Sequence, residues 1–248
     1  MHPLLEQEYA VFDLETDGVD KRVCNPLEVG LVRITGSGKV KKGYETYIQV
    51  HSPIPPDVSG IHHITNADIE KGPNIAAGLA GEIFEVFREE APLVAYNAPF
   101  DFTIAERCFG VQAMAGDLCA LKLAKKCILH APDYKLSTLR YLMQIDIDQP
   151  REKRIAHGAL ADAQITAKLL AEMIQYLVKG EFVTDLASLA TFCWAPQFVE
   201  RCPFPKHKGK LNRDIPTDYI QWILENIKEL DADIHHTYVT VLQERGLG

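Results

Sequence analysis

The sequence predicts an α/β fold, a mixed sheet flanked by helices, with a small and mostly helical module at its C-terminal end. Three observations lead there. Residues 8 to 50 hold three strand-like segments joined by short connections, a meander of neighbouring strands. From residue 75 onward, apolar residues recur at helical spacing and alternate with one further short apolar run. After Gly180 the character shifts to prolines and basic residues, followed by two more amphipathic stretches.

The elements follow in order. Residues 8 to 12 form a short buried strand, and "LEVGLVRI" (Leu27 to Ile34) a second. "GSGK" makes a turn, and Tyr44 to Val50 alternates as a third strand. "HSPIPPDVSG" reads as a proline-rich loop, and "TNADIEKG" as one capped helical turn ending at Gly72. Ile75, Leu79, Ile83, Val86 and Phe87 mark a helix over 75 to 90 that Pro92 stops. "PLVAY" is a fourth strand, and a helix over about 99 to 109 ends at Gly110. A helix is expected near 117 to 128, and a short one in "KLSTLRYLM" with Ser137 as its cap. Leu160, Ala163, Ile165, Leu169, Leu170, Met173 and Leu177 define a long helix from Ala159 to Lys179. The expected domains are therefore 1–180 and a module over 181–248, too small to hold much core of its own.

Composition narrows the function classes. With 47% hydrophobic and 24% charged residues, the chain reads as a soluble globular protein. It has no apolar run long enough for a bilayer and no secretion-type start, so no membrane association is expected. Six scattered cysteines without a Cys-x-x-Cys pair suggest neither zinc nor disulfides, and a cytoplasmic address follows. A formal charge of −8 argues against a protein that coats nucleic acid through a broad basic surface. Local basic clusters remain at Lys39/Lys41/Lys42, Lys122/Lys125/Lys126, Arg151/Lys153/Arg154 and Lys206/Lys208/Lys210/Arg213, each of which also reads as a solvated face.

The chemistry gathers around carboxylates. Asp13 and Glu15 in "VFDLETDG" stand two apart at a strand end and so point to one side. Alone they would be an ordinary acidic strand end running into an Asp-Gly turn. "YNAPFDF" places Asp101 near a helix start, where the helix dipole alone would favour it. "HGALADA" places His157 ahead of the long helix and Asp162 in its first turns. Four carboxylates brought together would repel one another unless protonated or bound to cations. Hard divalent cations need oxygen ligands of this kind, and a neighbouring histidine can take a proton from a water that a metal acidifies.

These motifs resemble those of the DEDDh group of DnaQ-like 3′-to-5′ exonucleases over residues 5 to 180. "DLET", "NAPFD" and "HGALAD" match the group's three motifs in order, and "LEVGLV" and "IHHIT" match its secondary signatures. The tail "FPKHKGK…DIPTDYIQWILEN" is similar to the module of exonuclease X-type proteins. The resemblance implies an RNase H-like fold with a mixed five-stranded sheet. It implies two divalent cations, Mg²⁺ or Mn²⁺, held by Asp13, Glu15, Asp101 and Asp162, with His157 as the general base. Leu14, Thr16, His62, Asn97 and Phe100 would then grip the last nucleotide, and Phe100 reads equally well as core. His63 and Tyr96 depart from the usual pattern and bear on substrate preference.

The expected activity is release of nucleoside 5′-monophosphates from DNA 3′ ends, single-stranded or duplex, in repair or end trimming. Lys206, Lys208, Lys210 and Arg213 are candidate duplex contacts. The alternatives are a polymerase proofreading subunit and an RNA exonuclease of the RNase T or oligoribonuclease type. From other classes, a catalytically silent nucleic-acid-binding protein or an aspartyl phosphatase would not need His157 beside Asp162. Homodimerisation and a polymerase partner are left open by the sequence.

Overall fold

The computed structural model describes residues 2–71, 74–147 and 158–247. It divides into two compact units, Met1–Trp194 and Ala195–Gly248, each with its own apolar core. The division falls after Trp194 rather than after residue 180. Helix α9 (Leu186–Trp194) is the reason: it buries Leu189, Ala190 and Cys193 in the core of the first unit, and the Trp194 indole donates to the Asp117 carbonyl at 2.8 Å.

The first unit is built on a mixed sheet of strands β1 (Glu8–Thr16), β2 (Pro26–Thr35), β3 (Val40–Ile48), β4 (Asn74–Ile75), β5 (Leu93–Ala95) and β6 (Leu118–Cys119). Their order across the sheet is β4-β3-β2-β1-β5-β6. The β1, β2 and β3 meander is antiparallel, whereas β5 lies parallel to β1 and β6 parallel to β5. The sheet thus has six strands where five were expected. β4 and β6 are only two residues long, too short to carry a periodic signal. Residues 117 to 119, expected to be helical, instead lead into and form β6, and helix α6 begins at Ala120 and runs to Cys127.

Other boundaries moved for identifiable reasons. A short helix α1 (Pro3–Glu6) precedes β1. The expected proline loop turns into helix α2 (Pro56–His62), because proline is well suited to a first helical turn, where no N–H is needed. Helix α3 (Asn66–Lys71) opens on a reciprocal cap in which the Asp68 carboxylate accepts the Thr65 amide at 2.8 Å and the Thr65 hydroxyl accepts the Asp68 amide at 3.3 Å. Helices α4 (Ala77–Arg88), α5 (Ala98–Phe109) and α7 (Leu136–Leu142) follow the apolar periodicity, although α7 starts before Ser137, with Lys135 at the cap position. No helix among the described residues is long and apolar enough to cross a membrane.

The long helix α8 (Ala159–Lys179) packs along β1 and β2 and buries twelve residues, from Ala159 through Leu177. Its start is set by a close approach to the sheet. Gly30 on β2 has the backbone of Ala159 and Leu160 directly above it, where a methyl group would collide with both. In the second unit, helices α10 (Thr217–Asn226) and α11 (Ala232–Glu244) enclose Ile215, Ile220, Ile223, Tyr238 and Val241. The Asp231 side chain caps α11 by accepting the amides of Asp233 and Ile234.

Gly30→Ala should lower stability by about 1–3 kcal/mol, because backbone rather than a side-chain tip must give way. Urea unfolding measures this loss. Any activity that rests on Asp162 should fall further than the unfolded fraction explains, since α8 carries that residue.

Candidate active site

The site starts from strand register. Asp13 on β1 lies opposite Gly30 on β2, and Glu15 lies opposite Glu28. Residues two apart share a face, so Asp13, Glu15 and Glu28 line one side of this strand pair, and Gly30 leaves a gap between them. The start of α8 fills that gap and brings Asp162, in its first turn, over the strands. β5 runs parallel beside β1 and hands the chain to α5, whose first turn carries Asp101. Pairing of β1 with β2 shifts register between Glu15 and Thr16, immediately after the second carboxylate.

Ligand oxygens of Asp13, Glu15 and Asp162 all lie within 4.8 Å of one another. Asp101 is almost fully buried beside them, at 4% exposure. The electrostatic result is severe. Burial, then the charges of Asp101, Asp162, Glu15 and Glu28, hold the Asp13 carboxyl well above the usual range. Burial, with Asp162, Glu28 and Asp101, pushes Glu15 up to about 9. Burial raises Asp101 to about 7, against the pull of its own backbone amide and that of Leu14. Several hard oxygens in one pocket, short of positive charge, fit a divalent cation, and such a cation would relieve the repulsion.

Glu28 and Glu45 were not anticipated. The Glu28 carboxylate is buried and accepts the Ala159 amide at 2.9 Å, while Glu45 accepts the Leu160 amide at 3.3 Å. Two carboxylates thus cap the first amides of α8, where the helix dipole favours negative charge. Burial raises Glu28 to about 7, offset by the Ala159 amide and reinforced by Glu45. The available signal was a charged residue inside an otherwise apolar strand, which needs a partner when buried.

The other expected residues are placed as follows. Leu14 is buried between the two strand carboxylates, and the Thr16 hydroxyl donates to the Gly18 carbonyl at 2.7 Å. Asn97 is exposed at the N-cap of α5, its carbonyl accepting the Phe100 amide at 2.8 Å. Phe100 is half-buried against the main core. His62 is buried at the end of α2, and its Nδ1 accepts the Ile64 amide at 3.0 Å. That segment packs through Ile54, Ile64 and Ile69 on Leu27, the residue before Glu28. His157 and the Arg151/Lys153/Arg154 cluster lie outside the described residues.

The turn beyond Glu15 is clamped at its base. Asp17 donates its amide to the Asn25 carbonyl at 2.9 Å, and its carboxylate accepts the Asn25 backbone amide and side-chain amide at 2.6 and 2.7 Å. Beyond the clamp Val19 is 89% exposed, Asp20 pairs with Arg22, and the Lys21 ammonium reaches the Pro99 carbonyl at 2.9 Å.

The four tail residues differ among themselves. Lys206 lies 4.8 Å from the Tyr219 ring centroid, and Lys208 and Lys210 are exposed. Arg213 is engaged within its own unit, stacked on Phe198 at 4.3 Å and paired with Glu244 at 3.2 Å. Of the other basic clusters, Lys42 sits over the Phe87 ring, and Lys126 donates to the Phe192 and Cys193 carbonyls.

Comparison with known proteins bears on the same region. The RNase T family, described as exonucleases, matches residues 10–170. Exodeoxyribonuclease 10 of Escherichia coli K12 is 24% identical over 227 residues, covering 88% of this chain and 94% of that protein. A PolC-type DNA polymerase III of Caldanaerobacter subterraneus is 28% identical over 176 residues, which is 70% of this chain. The match spans only 12% of that polymerase's length. Among solved structures, exonuclease X in complex with 5′-overhanging duplex DNA aligns with a TM-score of 0.52 at 24% identity, covering 74% of this chain and 99% of that one.

The raised carboxyls set a pH dependence. Glu15, Asp101 and Glu28 bind protons more tightly folded than unfolded, so the stability they permit is present below the ordinary carboxylate range and is lost as pH rises through about 7 to 9. In chelator the melting temperature should fall across that rise. Mg²⁺ or Mn²⁺ should restore it, with a larger increment at the higher pH. A melting temperature that climbs in chelator over the same range would refute the repulsive cluster.

Proposed function

The chain belongs to the DEDDh, DnaQ-like family of 3′-to-5′ exonucleases, and from that membership we propose that it trims the 3′ ends of DNA in an exonuclease X-like role, releasing nucleoside 5′-monophosphates. The observation that carries this reading is the convergence of Asp13, Glu15 and Asp162 within 4.8 Å, with Asp101 buried alongside. The choice of DNA draws support from the relative exodeoxyribonuclease 10, matched over nearly its whole length.

Two divalent ions, Mg²⁺ or Mn²⁺, would when bound acidify the attacking water and neutralise charge on the scissile phosphate. Asp13, Glu15 and Asp162 would hold the first ion, and Asp13 and Asp101 would serve the second. His157 accepts the proton of the attacking water as it forms its bond to the terminal phosphorus, and the 3′ oxygen of the shortened strand leaves. The Leu14 and Thr16 backbone, His62, Asn97 and Phe100 hold the terminal nucleotide. Lys206, Lys208 and Lys210 act as phosphate contacts on the tail. Arg213 serves this role less well, since its guanidinium is already paired.

A second reading is favoured by one observation: PolC-type polymerases recur among the relatives. In that reading the chain is a proofreading exonuclease, and it should bind a purified replicative polymerase.

Labelled single-stranded DNA, duplex DNA and RNA, digested side by side with and without chelator, test the assignment; DNA shortened from its 3′ end only with metal is expected. His157→Ala should lower turnover by about two to four orders of magnitude with metal and DNA binding retained, and near-normal turnover would remove it as general base. Asp13→Ala should lose both metal binding and turnover. Truncation after Trp194 should weaken cleavage of duplex more than of single strands and flatten its salt dependence, whereas equal loss on both would make the tail a stability element.

A further inference from the structure

Outside the carboxylate cluster, the second unit carries an exposed arrangement of aromatic and cationic groups, of which the chemistry above uses only the cations. On α10, Tyr219 and Trp222 stand three residues apart, so they share one face of the helix. Their rings are nearly parallel, at 11° with centroids 6.2 Å apart. Tyr219 is enclosed: His207 meets it edge-on at 4.6 Å, and the Lys206 ammonium lies 4.8 Å from its centroid. Trp222 is left 53% exposed. Lys206, Asp218, Tyr219 and Trp222 line a recess of about 410 Å³, within the size range of small-ligand pockets.

The surroundings of this exposed indole indicate what it can hold. Residues 201 to 213 hold Arg201, Lys206, Lys208, Lys210 and Arg213 with no carboxylate, in a chain whose overall charge is −8. Arg201 donates to the Gly209 carbonyl at 2.7 Å and Arg213 pairs with Glu244, whereas Lys206, Lys208 and Lys210 keep exposed side chains. The positive field is felt locally. Burial, then Lys210 and Lys206, depress the His207 imidazole, and the opposing pull of Asp218 is weaker. The Asp218 carboxylate is itself occupied by the Tyr219 amide at 2.9 Å. An open aromatic face beside exposed ammonium groups matches a nucleobase joined to a phosphate. Bases in a duplex hide their faces in the stack, so the complementary partner is an unpaired strand.

We propose that Trp222 and Lys206 form a binding site for one unpaired nucleotide of a nucleic-acid strand, the base lying on the indole and the phosphate on the ammonium. Lys208 and Lys210 contact neighbouring phosphates. This deepens the exonuclease reading, on which it rests for its source of unpaired strands.

The test is binding of the full-length chain to fluorescent oligothymidylate of about 20 nucleotides, in chelator so that nothing is cleaved. Trp222→Ala should weaken binding about 5- to 100-fold, and Trp222→Phe should keep most of it. Lys206→Gln should reduce the slope of affinity against salt by about one contact. Trp222→Ala should leave affinity for a blunt duplex unchanged, because paired bases do not offer a face to the indole. With metal present, Trp222→Ala should raise KM on single strands and leave kcat unchanged. Unaltered strand binding by a folded Trp222→Ala protein overturns the proposal. So does a variant that keeps strand binding but loses capture of a purified polymerase, which would make the face a protein-docking surface. If metal supports no cleavage of any strand while Trp222→Ala still loses binding in chelator, the exonuclease reading fails and the nucleotide site stands.

Discussion

Everything at the carboxylate cluster depends on one steric allowance, the missing side chain at Gly30. Without it the first turn of α8 could not lie on the β1–β2 pair, and Asp162 could not come within 4.8 Å of the strand carboxylates. The allowance alone would leave the helix start held only by packing. Glu28 and Glu45 fix it by accepting the first two amides of α8, at 2.9 and 3.3 Å. A short residue sets the distance and two acceptors set the orientation. Because Gly30 and Glu28 stand opposite Asp13 and Glu15 in the strand ladder, the same register that aligns the acids also seats the helix that completes them.

That arrangement works against the fold electrostatically. Carboxylates packed this closely and partly withdrawn from water must be partly protonated or share a cation. Elsewhere the first unit pairs its buried charge conventionally: Arg88 and Asp117 form an ion pair, and Asp117 also accepts the Leu93 and Met114 amides at 2.8 and 2.7 Å. The contrast marks the cluster as a place where stability is given up for chemistry, offset by the burial along β1, β2 and α8. The second unit follows a different logic. Five of its seven lysines and arginines fall within residues 201 to 213, and it encloses a small core of its own.

Local patterns carried much of this architecture. The i, i+2 spacing of Asp13 and Glu15 disclosed a shared face, and the apolar period of residues 159 to 179 disclosed α8 nearly to the residue. What depends on distant partners stayed hidden. Glu28 drew no reading of its own in "LEVGLV", because its partner, the Ala159 amide, lies 131 residues away. Gly30 in the same run gave no sign that a helix would land on it. β4 and β6 are too short to show alternation. Arg213 read as one of four equivalent cations, although Glu244 and Phe198 had already claimed it. Residues 186 to 194 went to the C-terminal module on the composition that follows them, whereas the helix they form fills the core of the first unit.

The clamp between Asp17 and Asn25 has a consequence for how such a protein can change. Three hydrogen bonds close the base of that loop just past the register shift that ends the strand pairing. Strain from a longer or shorter tip meets this closed base before the ladder that spaces Asp13 from Glu15, and Lys21 is the tip's tie to α5. Lengthening a surface loop carries only a small entropic cost, roughly 0.6 kcal/mol for each doubling. The tip around Val19 is therefore a replaceable part on a fixed chassis. Drift, or a designer, can rewrite it while the reaction geometry a few residues away is left as it was.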